Sequence, residues 1–241
     1  MKFNLLILGA GRGTRLSPLT DALPKPLLAI DGSETILLRI VKQFRKILPI
    51  ASIWVNISTH PETFLSYLGG IDSEFRPQVL FEPNLLGSAN TVFELSKEHD
   101  GPTLVIHGDL VLSHAYIDTL IQEIFRNPRF TVFCHSRSSN RARSTITISG
   151  SNIVTSLVNT GVNSPVDSKV LVNSGIYFLP NLQQIGSASE IGTEIADSIL
   201  QTLITSGNLH AFEINETRVS VDSLNQLEEA RNLVKEEILR R

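Results

Sequence analysis

Leu8-Gly9-Ala10-Gly11-Arg12-Gly13-Thr14-Arg15, continued by Pro18, Thr20 and Pro24-Lys25-Pro26, is the stretch that decides how this chain is read. It follows directly on the apolar run Phe3–Leu8, which reads as a first buried strand. Glycines placed immediately after a strand let backbone N–H groups turn toward a bound anion, because no Cβ blocks the approach. Two familiar phosphate loops do not fit. The spacing of Gly9, Gly11 and Gly13 is G-x-G-x-G, whereas the dinucleotide fingerprint requires G-x-G-x-x-G. No Gly-Lys-Ser/Thr triplet follows, so a Walker A loop is excluded as well. What remains is a long loop carrying two cations of different character. Arg15 offers a planar fork suited to phosphate oxygens, and Lys25 a compact point charge. Pro24 and Pro26 restrict the backbone on either side of Lys25.

Outward from the loop, apolar runs alternate with helical patterns. Strands are expected at Phe3–Leu8, Ile53–Ile57, Val79–Phe81, Thr103–Ile106 and Phe130–Cys134, and helices at Thr35–Leu48, Pro61–Leu68, Ala89–Lys97 and Ser113–Phe125. In the last of these, Ile117, Leu120, Ile121, Ile124 and Phe125 recur at helical spacing behind Ser113 as N-cap. The alternation predicts an α/β fold, with a Rossmann-like, mostly parallel central sheet and helices on both faces. After about residue 140 the pattern becomes β-rich, with strands at Ser144–Ile148, Ile153–Val158 and Val170–Phe178. Thr193–Thr205 then reads as helix, Leu209–Ile214 as extended, and Ser223–Leu239 as a helix. That last helix opens on a Ser223/Gln226 capping box and aligns Leu224, Leu227, Ala230, Val234 and Ile238. A single domain over 1–241 is expected, 1–140 the strand–helix portion and 141–241 mainly a smaller β-rich portion with a closing helix.

Composition narrows the partners. Lys plus Arg number 21 against 24 Asp plus Glu, a formal net charge of −3, so no general basic field is available for a nucleic acid. Phosphate binding must come from a few placed cations. No stretch approaches the roughly 20 apolar residues of a membrane span, and a leader is not expected because Arg12 and Arg15 follow the first apolar run at once. The single cysteine, Cys134, sits in an apolar run and reads as a small buried hydrophobe. A cytoplasmic location is the expectation, and a homo-oligomer is left open.

The loop with Pro24-Lys25-Pro26 resembles the signature of the sugar-phosphate nucleotidyltransferases, also called sugar-nucleotide pyrophosphorylases. The resemblance implies that Gly9, Ala10, Gly11, Gly13, Thr14 and Arg15 wrap the triphosphate of an NTP. Arg15 would hold the β- and γ-phosphates, and Lys25 would sit beside the reacting phosphates, both as catalytic residues. Downstream, Glu82-Pro83-Asn84-Leu85-Leu86-Gly87-Ser88 resembles the family's base-binding turn. There Gly87 would let the backbone approach the base edge, Glu82 would accept from a donating edge, and Ser88 would cap the following helix. Asp109, closing Val105-Ile106-His107-Gly108-Asp109 at a strand end, is by resemblance the principal Mg²⁺ ligand, and Asp222, just before the last helix, the second. Asn173 in Asn173-Ser174-Gly175-Ile176-Tyr177-Phe178 resembles the sugar-pocket position; its amide can both donate and accept. His107 reads as packing.

Two departures bear on the acceptor. No Glu lies between Ser151 and Val172 to supply the Glu-Lys-Pro element of many hexose 1-phosphate members, and Lys169 is the only basic residue there. The last acidic motif lacks Gly-Thr-Pro. Its spacing is closer to relatives that use phosphocholine or phosphonates with CTP, which carry Glu two residues before the Asp, where this chain has Ser220. The resemblance therefore implies Mg²⁺-dependent joining of an NMP to a phosphorylated small molecule, a sugar 1-phosphate first and a phosphocholine-type acceptor second. A non-catalytic, nucleotide-sugar-binding regulator would be marked by loss of these charges, yet Arg15, Lys25, Asp109 and Asp222 are all present.

Overall fold

The computed structural model of the chain describes residues 2–11, 13–138, 144–158, 169–185 and 193–240. Arg12 lies outside them, as does the side chain of Lys169. In chain order the elements are β1 (Phe3–Leu8), β2 (Ala29–Asp31), β3 (Glu34–Thr35), α1 (Ile36–Ile47), β4 (Ile50–Ile57), α2 (Pro61–Gly69), β5 (Gln78–Phe81), α3 (Ser88–Ser96), β6 (Thr103–His107) and β7 (Leu110–Leu112). There follow α4 (His114–Arg126), β8 (Thr131–Ser138), β9 (Thr145–Ile148), β10 (Val154–Val158), β11 (Lys169–Leu179), α5 (Ile199–Thr205), β12 (His210–Glu213), β13 (Arg218–Ser220) and α6 (Leu224–Leu239). The α/β class expected from the alternation is the class observed. No helix among the described residues is long and apolar enough to cross a membrane.

The chain forms two compact units that interleave in sequence. The first comprises Met1–Leu85, Ile106–Asp118 and Glu216–Arg241. Its β1, β4 and β5 run parallel, with Leu8 opposite Asn56 and Ile57 opposite Phe81. Phe3, Leu5, Leu6 and Ile7 are wholly buried, as expected of a strand inside a parallel sheet. Helix α1 starts where Thr35 Oγ1 accepts the Leu38 N–H at 3.2 Å, and it buries Ile36, Leu37, Ile40, Val41 and Phe44. Two short ladders complete the unit: the hairpin β2–β3 and the antiparallel pair β7–β13, in which Leu110 faces Ser220.

In α6 the N-cap Ser223 accepts the Gln226 N–H, while Gln226 Oε1 takes the N–H of Asp222, one residue before the position a capping box would use. Leu227, Ala230 and Val234 are buried, but Leu224 and Ile238, expected on the same stripe, are 62% and 49% exposed. The helix packs on β2 and β13 through its middle, and those two residues lie at its ends.

The second unit comprises Leu86–Val105 and Thr119–Asn215. It holds the β-rich segment: β8 pairs antiparallel with β11 and parallel with β12, and β9 joins β10 to β11. In α4, whose residues up to Asp118 belong to the first unit, Ser113 Oγ caps by accepting the Tyr116 N–H and the buried stripe is Ile117, Leu120, Ile121 and Ile124; Phe125, at its flank in the last turn, is exposed. The helix expected over Thr193–Thr205 begins only at Ile199. Thr193 C=O accepts the Ala89 N–H, and the Ile195 N–H goes to Ser88 Oγ, so these backbone groups are spent outside a helix. Cys134 is wholly buried, and burial, aided by the charge of Glu213, pushes its thiol up to about 12.

Candidate active site

In the first unit, the loop leaving β1 is folded onto itself before it delivers its cations. Gly13 has φ +66° and Thr20 Oγ1 donates to its carbonyl at 2.8 Å; a Cβ there would press on Thr20 at 3.1 Å and on the Lys25 stem at 3.3 Å. Leu16, Leu27 and Leu28 are buried and anchor the loop. Lys25 opens a tight turn in which Leu27 and Leu28 N–H bond back to Pro24 and Lys25 carbonyls. Its stem therefore starts from a fixed place.

The two carboxylates arrive on the short β7–β13 ladder. Asp109 precedes β7 and Asp222 follows β13, and the Val221 N–H donates to the Asp109 carbonyl at 2.9 Å. The ladder thus carries two acids, remote in sequence, to one corner. Gly108 makes room for this: its N–H bonds the Leu8 carbonyl, and a Cβ would stand 2.8 Å from that oxygen and 3.0 Å from Pro26. Gln226, by holding the Asp222 N–H, fixes the second acid from the α6 side.

Lys25 Nζ lies 2.5 Å from Asp222 Oδ1 and 3.5 Å from Asp109 Oδ2, and Arg15 Nη1 is 2.7 Å from Asp222 Oδ2. All four charged residues expected to act together are therefore together. Lys25 is only 12% exposed, whereas Arg15 is 52% exposed and has solvent freedom to leave Asp222 for another anion. Asp109 Oδ1 is buried and accepts no hydrogen bond from the described residues. Such an oxygen is costly unless something fills its lone pairs. A hard divalent cation suits it: Mg²⁺ binds through one or two carboxylates, with substrate phosphates and water completing its shell. Among the described residues no group of three or more His, Cys, Asp and Glu forms a softer or fuller cage.

Several expected nucleotide contacts have other partners here. The N–H groups of Gly9 and Ala10 both point to Asn56 Oδ1, at 2.7 and 3.3 Å. Glu82 is 4% exposed, and its Oε1 accepts from Asn56 Nδ2 at 3.0 Å. The N–H groups of Gly11 and Gly13 have no acceptor among the described residues, and Thr14 begins the turn that carries Arg15.

In the second unit, Gly87 has φ +87°, and a Cβ on it would meet the Thr193 carbonyl at 2.5 Å, so the glycine is already required by its own surroundings. Gly87, not Ser88, is the N-cap of α3. Ser88 Oγ instead donates to Glu194 Oε2 and accepts from Ile195, which corrects its expected capping role. Asn173 stands at a bulge in β11: its Oδ1 accepts the Gly175 N–H and its Nδ2 donates to Tyr177 Oη, both at 2.8 Å. Burial pushes that phenol up to about 12, against the lowering effect of Asn173 and with the Glu194 charge adding to the rise.

Asn56 and Gly108 were missed as site residues. Asn56 was findable, as a lone polar side chain closing the apolar run Ile53-Trp54-Val55 at the carboxyl end of a parallel strand.

The α/β fold thus carries a cationic glycine loop after its first strand, beside two carboxylates held at the ends of a short ladder. The sequence model of the nucleotidyl transferase family matches residues 4–217, and the chain belongs to that family. It is 25% identical over 214 residues to the bifunctional protein GlmU of Methanococcus maripaludis, covering 87% of this chain and 49% of that protein. It is likewise 25% identical over 229 residues to the mannose-1-phosphate guanyltransferase of Schizosaccharomyces pombe, covering 87% and 58%. The chain thus spans about half the length of these relatives. Among solved structures, HddC from Yersinia pseudotuberculosis shares the fold, with a TM-score of 0.74 and 19% identity over 95% of this chain and 98% of that one.

Proposed function

We propose that the chain transfers a nucleoside monophosphate from an NTP to a sugar 1-phosphate, releasing pyrophosphate, in a Mg²⁺-dependent reaction. The observation that carries this reading is the convergence of Arg15, Lys25, Asp109 and Asp222 beside the glycine loop. An oxygen of the acceptor phosphate attacks the α-phosphorus, and the bond from that phosphorus to the oxygen bridging to the β-phosphate breaks. Attacker and target are both anionic, so neutralisation and alignment dominate, and no covalent nucleophile or general base is needed. Arg15, freed from Asp222, receives the departing pyrophosphate, and Lys25 steadies charge at the reacting centre. Asp109 and Asp222 would hold Mg²⁺, which would supply positive charge against that of the reacting phosphates. Asn173 stays the proposed acceptor contact, using what hydrogen-bonding capacity the bulge leaves it.

The sugar 1-phosphate is favoured by the similarity to a mannose-1-phosphate guanyltransferase. A competition assay with a sugar 1-phosphate and phosphocholine, across the four NTPs, tests it. The sugar phosphate is expected to win; preference for phosphocholine with CTP would replace the acceptor by the second reading.

A further inference from the structure

The glycine loop has a buried polar foundation that the charged residues do not explain. The parallel ladder between β1 and β4 ends at Leu8 opposite Asn56. The next two N–H groups of the chain, Gly9 and Ala10, run past the ladder and would be left buried. Asn56 Oδ1 takes both, so its side chain extends the ladder by one acceptor at the root of the loop. The NH₂ of the same amide needs an acceptor of its own, which favours this orientation of the side chain. Glu82 supplies it, through Oε1 at 3.0 Å, and its own backbone is tied by its N–H to the Ile57 carbonyl at 2.9 Å. Asn56 and Glu82 are each 4% exposed. No side chain fits at Gly9, because a Cβ would meet the Asn56 carbonyl and Val55 Cγ2 at 3.0 Å.

We infer that Asn56, oriented by Glu82, is a positioning residue that sets the path of the loop from Gly9 onward, and that this pair governs affinity for the polyphosphate of the substrate and not the chemical step. With Gly9 and Ala10 pinned, the N–H groups of Gly11 and Gly13, which have no acceptor among the described residues, start from a fixed root. The inference rests on the proposal that this loop binds the NTP phosphates. Groups that hold substrate equally before and during reaction change KM and leave kcat nearly unaltered. Lys25, acting at the reacting centre, should do the opposite.

The test measures binding of inorganic tripolyphosphate with Mg²⁺ by calorimetry, together with amide hydrogen exchange over β1 and the loop. Asn56→Ala and Glu82→Leu are each expected to weaken binding about tenfold, the order set by losing one or two hydrogen bonds at the root. Glu82→Gln, whose carbonyl oxygen can still accept from Asn56, should stay within about threefold of the parent by the same reasoning. Exchange at Gly9 and Ala10 should quicken in the first two variants, with Phe3–Leu8 still protected. With NTP as substrate, KM should rise more than kcat falls. Parental affinity in both Asn56→Ala and Glu82→Leu overturns the inference, as does loss of protection along the whole of β1, which would mark a folding role only. If Asn56→Ala does not fold, the contrast between Glu82→Leu and Glu82→Gln decides it alone. A parent that binds no tripolyphosphate overturns the phosphate-loop reading itself, an outcome distinct from parental binding that the variants leave unchanged.

Discussion

Replacing Lys25 with Met keeps the apolar stem in its groove and removes the charge on which both carboxylates converge. Lys25 Nζ is 2.5 Å from Asp222 and 3.5 Å from Asp109, and the acid side chains are each only 22% exposed. Stripping one partner from a buried ion pair costs about 3–5 kcal/mol. These carboxylates retain some water, and Arg15 still faces Asp222, so about 2 kcal/mol is the expected loss. For a chain of this size that is a fall of roughly 4–8 °C in melting temperature. Thermal unfolding in EDTA reads it directly. Added Mg²⁺ should then raise the melting point of Lys25→Met more than that of the parent, because in the parent Nζ already offsets the charge of the two carboxylates. Turnover should drop about 10²-fold or more, by analogy with losing one preorganised donor at a reacting centre, while KM for the NTP moves much less. Parental melting in EDTA together with parental turnover would refute the account of Lys25.

Asp109→Asn and Asp222→Asn should each lower Mg²⁺-dependent turnover, Asp109→Asn the more, because its buried Oδ1 accepts no hydrogen bond within the described residues; a Mg²⁺ titration of Asp222→Asn that overlays the parent would leave Asp222 as a helix-entry residue only. Cys134 should resist thiol reagents in the folded protein and react fully on unfolding. Its thiol is raised in the fold to about 12, so the unfolded chain loses that proton first. Stability should therefore fall as pH rises from about 9, near the ordinary thiol value, to about 12, and Cys134→Ala should flatten that part of the profile; an equal slope in both proteins would count against it.

The strands of the parallel core were legible as continuous apolar runs, and the first four helices by their helical patterns. Phe3–Leu8 is buried on both faces, and α1 runs over Ile36–Ile47, within one residue of the expected Thr35–Leu48 at each end. The ladder β7–β13 was not legible. Each strand has three residues, too few for a period, and they pair across more than a hundred positions. Yet that ladder is what brings Asp109 and Asp222 together. The sequence placed both acids at element ends without showing that they share a lysine. Glu82 and Ser88 illustrate a different limit. Motif position suggested a nucleotide contact, but their side chains are committed to Asn56 and to Glu194 and Ile195, partners that only the folded chain supplies. Thr193–Thr205 carried helical composition throughout, and bonds to Ser88 and Ala89, far away in the sequence, overrode it at the start.

The most direct measurement is pyrophosphate release by the intact chain with Mg²⁺, across the four NTPs, with and without a sugar 1-phosphate. The account predicts release only when NTP and phosphorylated acceptor are both present, a nucleoside-diphosphate sugar as co-product, and loss of both in Lys25→Met. Hydrolysis of NTP without acceptor, and no nucleotide-linked product with any phosphorylated acceptor, would contradict it.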